Sequence, residues 1–318
     1  MVDTALQALL YVSNTVCYTG THDNETTVGW FKGLKASDRR MALSYINRKT
    51  FESNRDLAFS FVKLAMGSVS KLCIIPMQDW LGLGDEARIN TPSTLGGFIT
   101  HSIEKLKKIG VPFVLSTIPL SEDSDGYYSS VSVDDVEESR KIVDYLIRKG
   151  HKRIAFLGAA DTDTSIGKLR LDGYLKALCD AGIKPDPKLI WHSDESFDTY
   201  NMQNGYEMMK SKLRRKPDYT AVFAIADTLA IGALKALREK GLSVPDDISV
   251  VGYDGIDMGT FCAPTLTTIS QPFEDMARRT CEILFDVIRH GASHCKVIME
   301  GEITERESVK NLSNMPFL

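Results

Sequence analysis

What this chain lacks narrows the field before any motif is considered. Its six cysteines are scattered at positions 17, 73, 179, 262, 281 and 295, with no pair at CxxC spacing and no histidine at ligand spacing beside one. That pattern argues against a zinc site and against a disulfide framework, and fits free or buried thiols in a reducing compartment. No metal and no cofactor are expected. No stretch approaches the ~20 apolar residues that cross a bilayer. The apolar run Ala5–Val12 is broken by Gln7 and preceded by Asp3 rather than by a basic segment, so it does not read as a signal peptide. A cytoplasmic location without membrane contact is therefore expected. An excess of one charge is missing as well: 38 Lys and Arg stand against 42 Asp and Glu, a formal charge of -4. This gives no global reason to bind nucleic acid, which calls for a basic face. The basic cluster from Lys210 to Lys216 is local and reads as the solvated end of a helix.

What is present is a change of pattern part-way along the chain. Residues 37–68 have helical periodicity, predicting helices over 38–48 and 57–66. Leu72–Pro76 is short, apolar and without alternation, as a buried strand would be. A loop rich in Gly, Pro, Asn and Thr follows from Gln78 to Gly97; a loop of that length commonly marks a functional loop or a boundary. Beyond it, helix and strand patterns alternate. Helices are predicted over 99–109, 136–149, 167–181, 200–213, 228–240 and 273–289. Strands are predicted over 112–116, 128–133, 154–157, 189–192, 221–225 and 248–252. Such alternation predicts a parallel sheet covered on both faces. Ligands of these sheets lie at the carboxyl ends of the strands, so the loops after Leu157, Ile225 and Gly252 are the places to seek a site.

The run YTGTHDNETTVGW (Tyr18–Trp30) and the later segment IIPMQDWLGLGDEARINTPSTLGG (Ile74–Gly97) resemble the 4-alpha-glucanotransferases, the amylomaltases. The resemblance spans about residues 10–97 and implies a piece of a (β/α)8 barrel that transfers α-1,4-glucan segments. It casts Asp23 as the carboxylate that hydrogen-bonds sugar hydroxyls in the transition state, with His22 as a neighbouring hydroxyl contact. The family's nucleophile and general acid/base belong to earlier barrel strands, and here only Asp3 precedes Asp23. A retaining mechanism needs two carboxyls ~5–5.5 Å apart, and two strands cannot close an eight-stranded barrel. This chain alone is therefore expected to have no glucanotransferase activity. Phe98 also stands where that family continues with an Asn-Trp-x-Trp-Arg ending.

From Ile99 to about Lys310 the chain resembles the sugar-sensing domain of lac-repressor/galactose-repressor regulators. The resemblance is carried by GHKRIAFLG (Gly150–Gly158), IGKLRLDGYLKAL (Ile166–Leu178), AVFAIADTLAIGALKALREKGLSVPDDISVVGYDGID (Ala221–Asp257) and PTLTTISQP (Pro264–Pro272). It implies two doubly wound, periplasmic-binding-protein-like subdomains with a sugar in the cleft between them. Arg170 matches an arginine that grips sugar hydroxyls, and its planar fork suits that task. Asp254 matches a ligand-binding acid at a strand end, and a carboxylate can accept two hydroxyl hydrogen bonds. Gln271 and Phe273 match positions that line the cleft near the hinge. Asp227 reads either as a ligand contact or as the N-cap of the following helix. Ser165 is a weaker candidate. Ala226 stands where many relatives carry a sugar-contacting Asn, which puts the effector's identity in doubt.

The expected organisation is a two-strand barrel fragment over 1–97 and a sensor domain over 98–310. The sensor divides into a remnant of its first subdomain (98–150), a complete second subdomain (151–260), and a crossover with the last helix (261–310). No helix-turn-helix precedes it, so direct DNA binding by this chain alone is not expected. Homodimerisation is a weakened expectation. Losing three central strands removes burial comparable with a whole domain's stability of ~5–15 kcal/mol. The remnant should then be disordered unless Val16–Thr19 and Cys73–Pro76 substitute for those strands. Three functions follow: a sugar-binding effector domain, with maltose or maltodextrin suggested by the glucanotransferase neighbour; a 4-alpha-glucanotransferase; or a nonfunctional gene fusion.

Overall fold

The computed structural model describes residues 16–20, 25–70, 72–85, 112–117, 128–160, 163, 166–193 and 199–313. His22, Asp23, Ser165 and the helix expected over 99–109 lie outside the described residues. The chain divides into two compact units, Met1–Lys108 and Ile109–Leu318.

In the first unit, β1 (Val16–Tyr18) pairs in parallel with β2 (Leu72–Ile74). Between them lie α1 (Thr27–Gly33), α2 (Ala36–Tyr45) and α3 (Asn54–Met66), and α4 (Met77–Leu81) follows β2. Thr26 caps α1 by accepting from the Gly29 amide, and Ser53 caps α3 by accepting from the Asp56 amide. Each side chain satisfies a donor that the helix start leaves open. Val28 and Phe31 of α1 pack on Leu57, Ala58 and Phe61 of α3 to make a small core.

In the second unit, β3 (Val114–Ser116), β4 (Ser129–Val133) and a late strand, β10 (Lys296–Met299), form a parallel sheet in the order β10-β4-β3. A second sheet has β5 (Ile154–Leu157), β6 (Ile190–Trp191), β7 (Ala221–Ala224), β8 (Ser249–Asp254), β9 (Thr267–Ser270) and β11 (Glu302–Thr304), in the order β11-β9-β8-β7-β5-β6. Its pairings are parallel except for β11, which runs antiparallel to β9 along one edge. The central strands IAFL and AVFA are buried throughout, as continuous apolar runs are when helices cover both faces. Those helices are α5 (Asp135–Arg148), α6 (Ile166–Asp180), α7 (Met202–Lys212) and α8 (Asp227–Glu239). The long α9 (Phe273–His290) instead sends Met276 and Ile283 into a core with Val131 and Val133 of β4.

The α/β class and the largely parallel sheet agree with the sequence pattern, but the internal divisions differ. Ile142, Val143, Tyr145 and Leu146 of α5, and Ile269 of β9, belong to the same core as β5, β7 and β8. The packing therefore does not break at 150 or at 260. Substitution of lost strands by β1 and β2 is also not what forms: those two strands make a sheet of their own. Nor is the described part of the remnant without structure, because α9 and β10 return from the far end of the chain and bury β4.

Candidate functional site

Four elements converge on Arg170. It sits in the second turn of α6 and is only 5% exposed. Its Nε donates to Asp135 Oδ1 at 2.8 Å, and Asp135 opens α5. Its Nη1 donates to the Ile225 carbonyl, just past β7, and to Asp254 Oδ1 at 3.3 Å, the last residue of β8. The guanidinium carbon lies 3.6 Å from the ring centroid of Tyr253, in a cation–π contact. Burial acts to lower the Arg170 pKa, but the carboxylates of Asp254 and Asp135 outweigh it, and the net shift is upward. Asp135 is almost wholly buried, so the pair needs this geometry to offset its desolvation.

Asp254 is the accessible member, with a quarter of its side chain exposed. Its φ is +114°, a left-handed conformation that a non-glycine residue adopts at a cost. Gln271 holds it there: its amide donates to the Asp254 carbonyl at 3.1 Å and its Nε2 to Asp254 Oδ1 at 2.9 Å. Burial raises the Asp254 pKa, with Arg170 and Gln271 pulling it back. The carboxylate thus presents an acceptor at a strand's carboxyl end, where open α/β sheets bind ligands.

Asp227 is not the cap of α8. The N-cap is Ala226, and Asp227 is the first helical residue, fully buried. Its Oδ2 accepts from the amides of Gly255 and Ile256, each at 2.8 Å, and its Oδ1 accepts from Thr268 Oγ1 at 2.6 Å. A side chain at Gly252 would run into it, since a Cβ there would lie 2.1 Å from Asp227 Oδ1. Asp227 therefore fastens the turn that follows Asp254. Phe273, the first residue of α9, is 44% exposed, immediately beyond Gln271 and Pro272.

Three residues of this neighbourhood escaped the sequence reading. Asp135 carries no recognisable spacing to Arg170, because only the packing of α5 on α6 joins them. Tyr200 donates to Asp163 Oδ2 at 2.7 Å, linking the loop after β5 to the start of α7. Burial, then Asp163, raises the Tyr200 pKa, and Arg170 and Asp135 lie within electrostatic range of it. Their types alone gave no signal, since Asp and Tyr in loops are common.

In the first unit, carboxylates hold Thr19, Thr26 and Thr27. Asp79 of α4 accepts from Thr19 Oγ1 at 2.5 Å and from the amide and hydroxyl of Thr27, both at 2.7 Å. Asp85 accepts from the Thr26 amide at 3.0 Å. The two ends of the 19–27 segment are thereby tied to the stretch after β2.

Comparison with known proteins finds two matches along the chain. Residues 143–309 match the model of the periplasmic binding protein-like domain, and residues 4–99 match that of the 4-alpha-glucanotransferases. The chain is 37% identical over 238 residues to the HTH-type transcriptional regulator MalR of Clostridium butyricum, spanning 74% of this chain and 69% of that one. It is 34% identical over 206 residues to CelR of Thermobifida fusca, spanning 64% and 58%. Among solved structures, a LacI family regulator from Enterococcus faecium with bound ribose aligns at TM-score 0.59 and 29% identity, over 67% of this chain and 77% of that one. The regulator CCPA from Weissella paramesenteroides with bound glucose aligns at TM-score 0.58 and 28% identity, over 68% and 75%. The fold is that of the periplasmic binding protein-like domain. The chain belongs to that family, in the form found in LacI-type transcriptional regulators. Among the described residues, no helix is long and apolar enough to cross a membrane.

Proposed function

We propose that the second unit is a sugar-sensing effector domain that binds a small polyhydroxylated ligand against Asp254, and that the ligand is maltose or a related maltodextrin. The observation that carries this reading is the Asp254 carboxylate, part-exposed at the end of β8 and backed by buried Arg170. A rigid acceptor with a fixed positive charge behind it suits a sugar hydroxyl. Maltose is favoured by the likeness to MalR and by the glucanotransferase match at the other end of the chain. Arg170 acts chiefly as the support of Asp254, and Gln271 as its brace. The domain pairs with a second copy more weakly than its relatives, and this chain does not read DNA by itself. Titration calorimetry with maltose, with glucose and ribose as comparators, tests the assignment. Saturable heat with maltose is expected; no heat with any of the three sinks it.

The match of residues 4–99 favours a second reading, glucan transfer, in which Asp23 would stabilise the transition state and His22 would contact the sugar. The carboxylates of Asp79 and Asp85 are occupied in accepting hydrogen bonds from threonines, which argues against either acting as the nucleophile or acid of a retaining displacement. Incubation of the purified chain with maltotriose is expected to release no glucose above a blank without protein. The adjoining matches are read as a joined pair of gene segments, one from an enzyme and one from a regulator. Sequencing native DNA across the codons for Gly96–Ile99 tests that history, and an intervening stretch there would refute it.

A further inference from the structure

The parallel pairing of β1 with β2 sets Cys17 directly opposite Cys73. These are separated by more than fifty residues in the chain, which is why no cysteine spacing announced them. Directly paired residues of neighbouring strands point to the same face, and adjacent strands run ~4.7–4.9 Å apart. That separation falls inside the ~4.4–6.8 Å range of Cα distances that a disulfide bridges. Both cysteines are free thiols. Burial pushes the Cys73 thiol up, and the Cys17 thiol beside it adds to the shift. Exposure is unequal: Cys17 is 3% exposed, whereas Cys73 is only half-buried.

We propose that Cys17 and Cys73 are a redox-reactive dithiol, a modification site in which Cys73 is the attacking thiol and Cys17 the resolving one. The co-reactant is a small-molecule disulfide. The Cys73 thiolate attacks one of its sulfurs, forming a mixed disulfide and expelling one small thiolate. The Cys17 thiolate then attacks Cys73 Sγ, forming the Cys17–Cys73 bond and expelling the second small thiolate. The two protein thiols are oxidised by two electrons, the small disulfide is reduced to two thiols, and the protons pass from the cysteines to the leaving thiolates. The bond would tie the strand entering the Thr19–Thr27 segment to the strand entering Asp79. Those are the two stretches that the Asp79 carboxylate already joins. It would also close a loop containing the small core of Val28, Phe31 and Phe61. The site lies wholly in the first unit and does not depend on the sugar-binding reading. A transient bond of this kind is compatible with a reducing compartment, where sensing disulfides form and are removed.

The test uses the whole chain, reduced, freed of reductant and incubated with glutathione disulfide at mildly alkaline pH. Remaining thiols are then blocked with N-ethylmaleimide and the digest examined by mass spectrometry. A linked Cys17–Cys73 peptide is expected, with the exposed Cys179 and Cys281 carrying glutathione instead. In Cys17→Ser, glutathione should stay on Cys73 because nothing resolves it. Three results would overturn the proposal: no linked peptide while Cys179 and Cys281 react, a stable glutathione adduct on Cys73 in the unaltered chain, or a linked peptide that forms equally in urea.

Discussion

Asp254 joins backbone strain, partial burial and accessibility in one residue, and each has a named cause. Its φ of +114° is held by both hydrogen bonds from Gln271, and its charge by Arg170. Asp254→Asn keeps the shape and removes the charge. Hydrogen bonds to charged groups contribute ~1.5–3 kcal/mol, so sugar affinity should fall roughly 10- to 100-fold in calorimetry; unchanged affinity would remove Asp254 from the site. Arg170→Ala should cost more in stability than in contact. It strands Asp135, whose side chain is 2% exposed, and breaking a buried pair costs about 3–5 kcal/mol in denaturant unfolding. Asp227 gives a pH signature. Burial raises its pKa from 3.8 to about 6, partly offset by Thr268 and the Ile256 amide. Because the folded value is the higher one, its contribution to stability is full below 3.8, declines as pH rises, and levels off above about 6. Asp227→Asn can still accept from the Gly255 and Ile256 amides, and it removes this titration. Relative to the unaltered chain, the variant should gain up to about 3 kcal/mol between acid and neutral pH. A constant difference across that range would contradict the assignment. Arg170, Asp254 and Gln271, which hydrogen bonds link, stood out in the sequence because they sit inside recognisable motifs. Asp135 did not, since its role exists only where two helices meet, and the N-cap of α8 falls one residue before Asp227, at Ala226.

At the level of elements, the contact between α5 and α6 sets the geometry of Arg170. Gly173 makes it close: a Cβ there would lie 2.2 Å from the Val136 carbonyl and 2.7 Å from the Ser139 Cβ. Gly173→Ala should force the helices apart, costing about 1–3 kcal/mol as overpacking does, and draw Asp135 away from Arg170. Sugar affinity should then fall although no ligand contact has changed. Native affinity in a destabilised Gly173→Ala chain would show that α5 does not position the site. The apolar runs of β5 and β7, and helices such as α5 with its Asp134 cap, follow directly from sequence pattern. The strands β9, β10 and β11 did not. β9 is TTIS and β11 is EIT, short and polar enough to read as loop. β10 is KVIM, with one face open, and it pairs with a strand more than 160 residues earlier. Local pattern carries no record of such a partner, and that omission made the remnant look less supported than it is.

Among the described residues, each hydrophobic cluster is made of residues from one unit. Val28, Phe31, Leu57, Ala58 and Phe61 form the core of the first, and the two clusters between Val131 and Ile283 belong to the second. Cooperative unfolding follows shared burial, so cores that share no residues should melt separately. Scanning calorimetry of the full chain is expected to show two transitions. A ligand that binds only the folded second unit stabilises that unit alone, by about 2.7 kcal/mol at a hundredfold excess over Kd. For a domain of that size this moves the corresponding transition up by roughly 5–10 °C and leaves the other in place. The same scan separates the two families' contributions. Maltose acting on the smaller transition would point to a sugar site in the glucanotransferase-like unit, and one transition moving as a whole would show that the units fold as a single body.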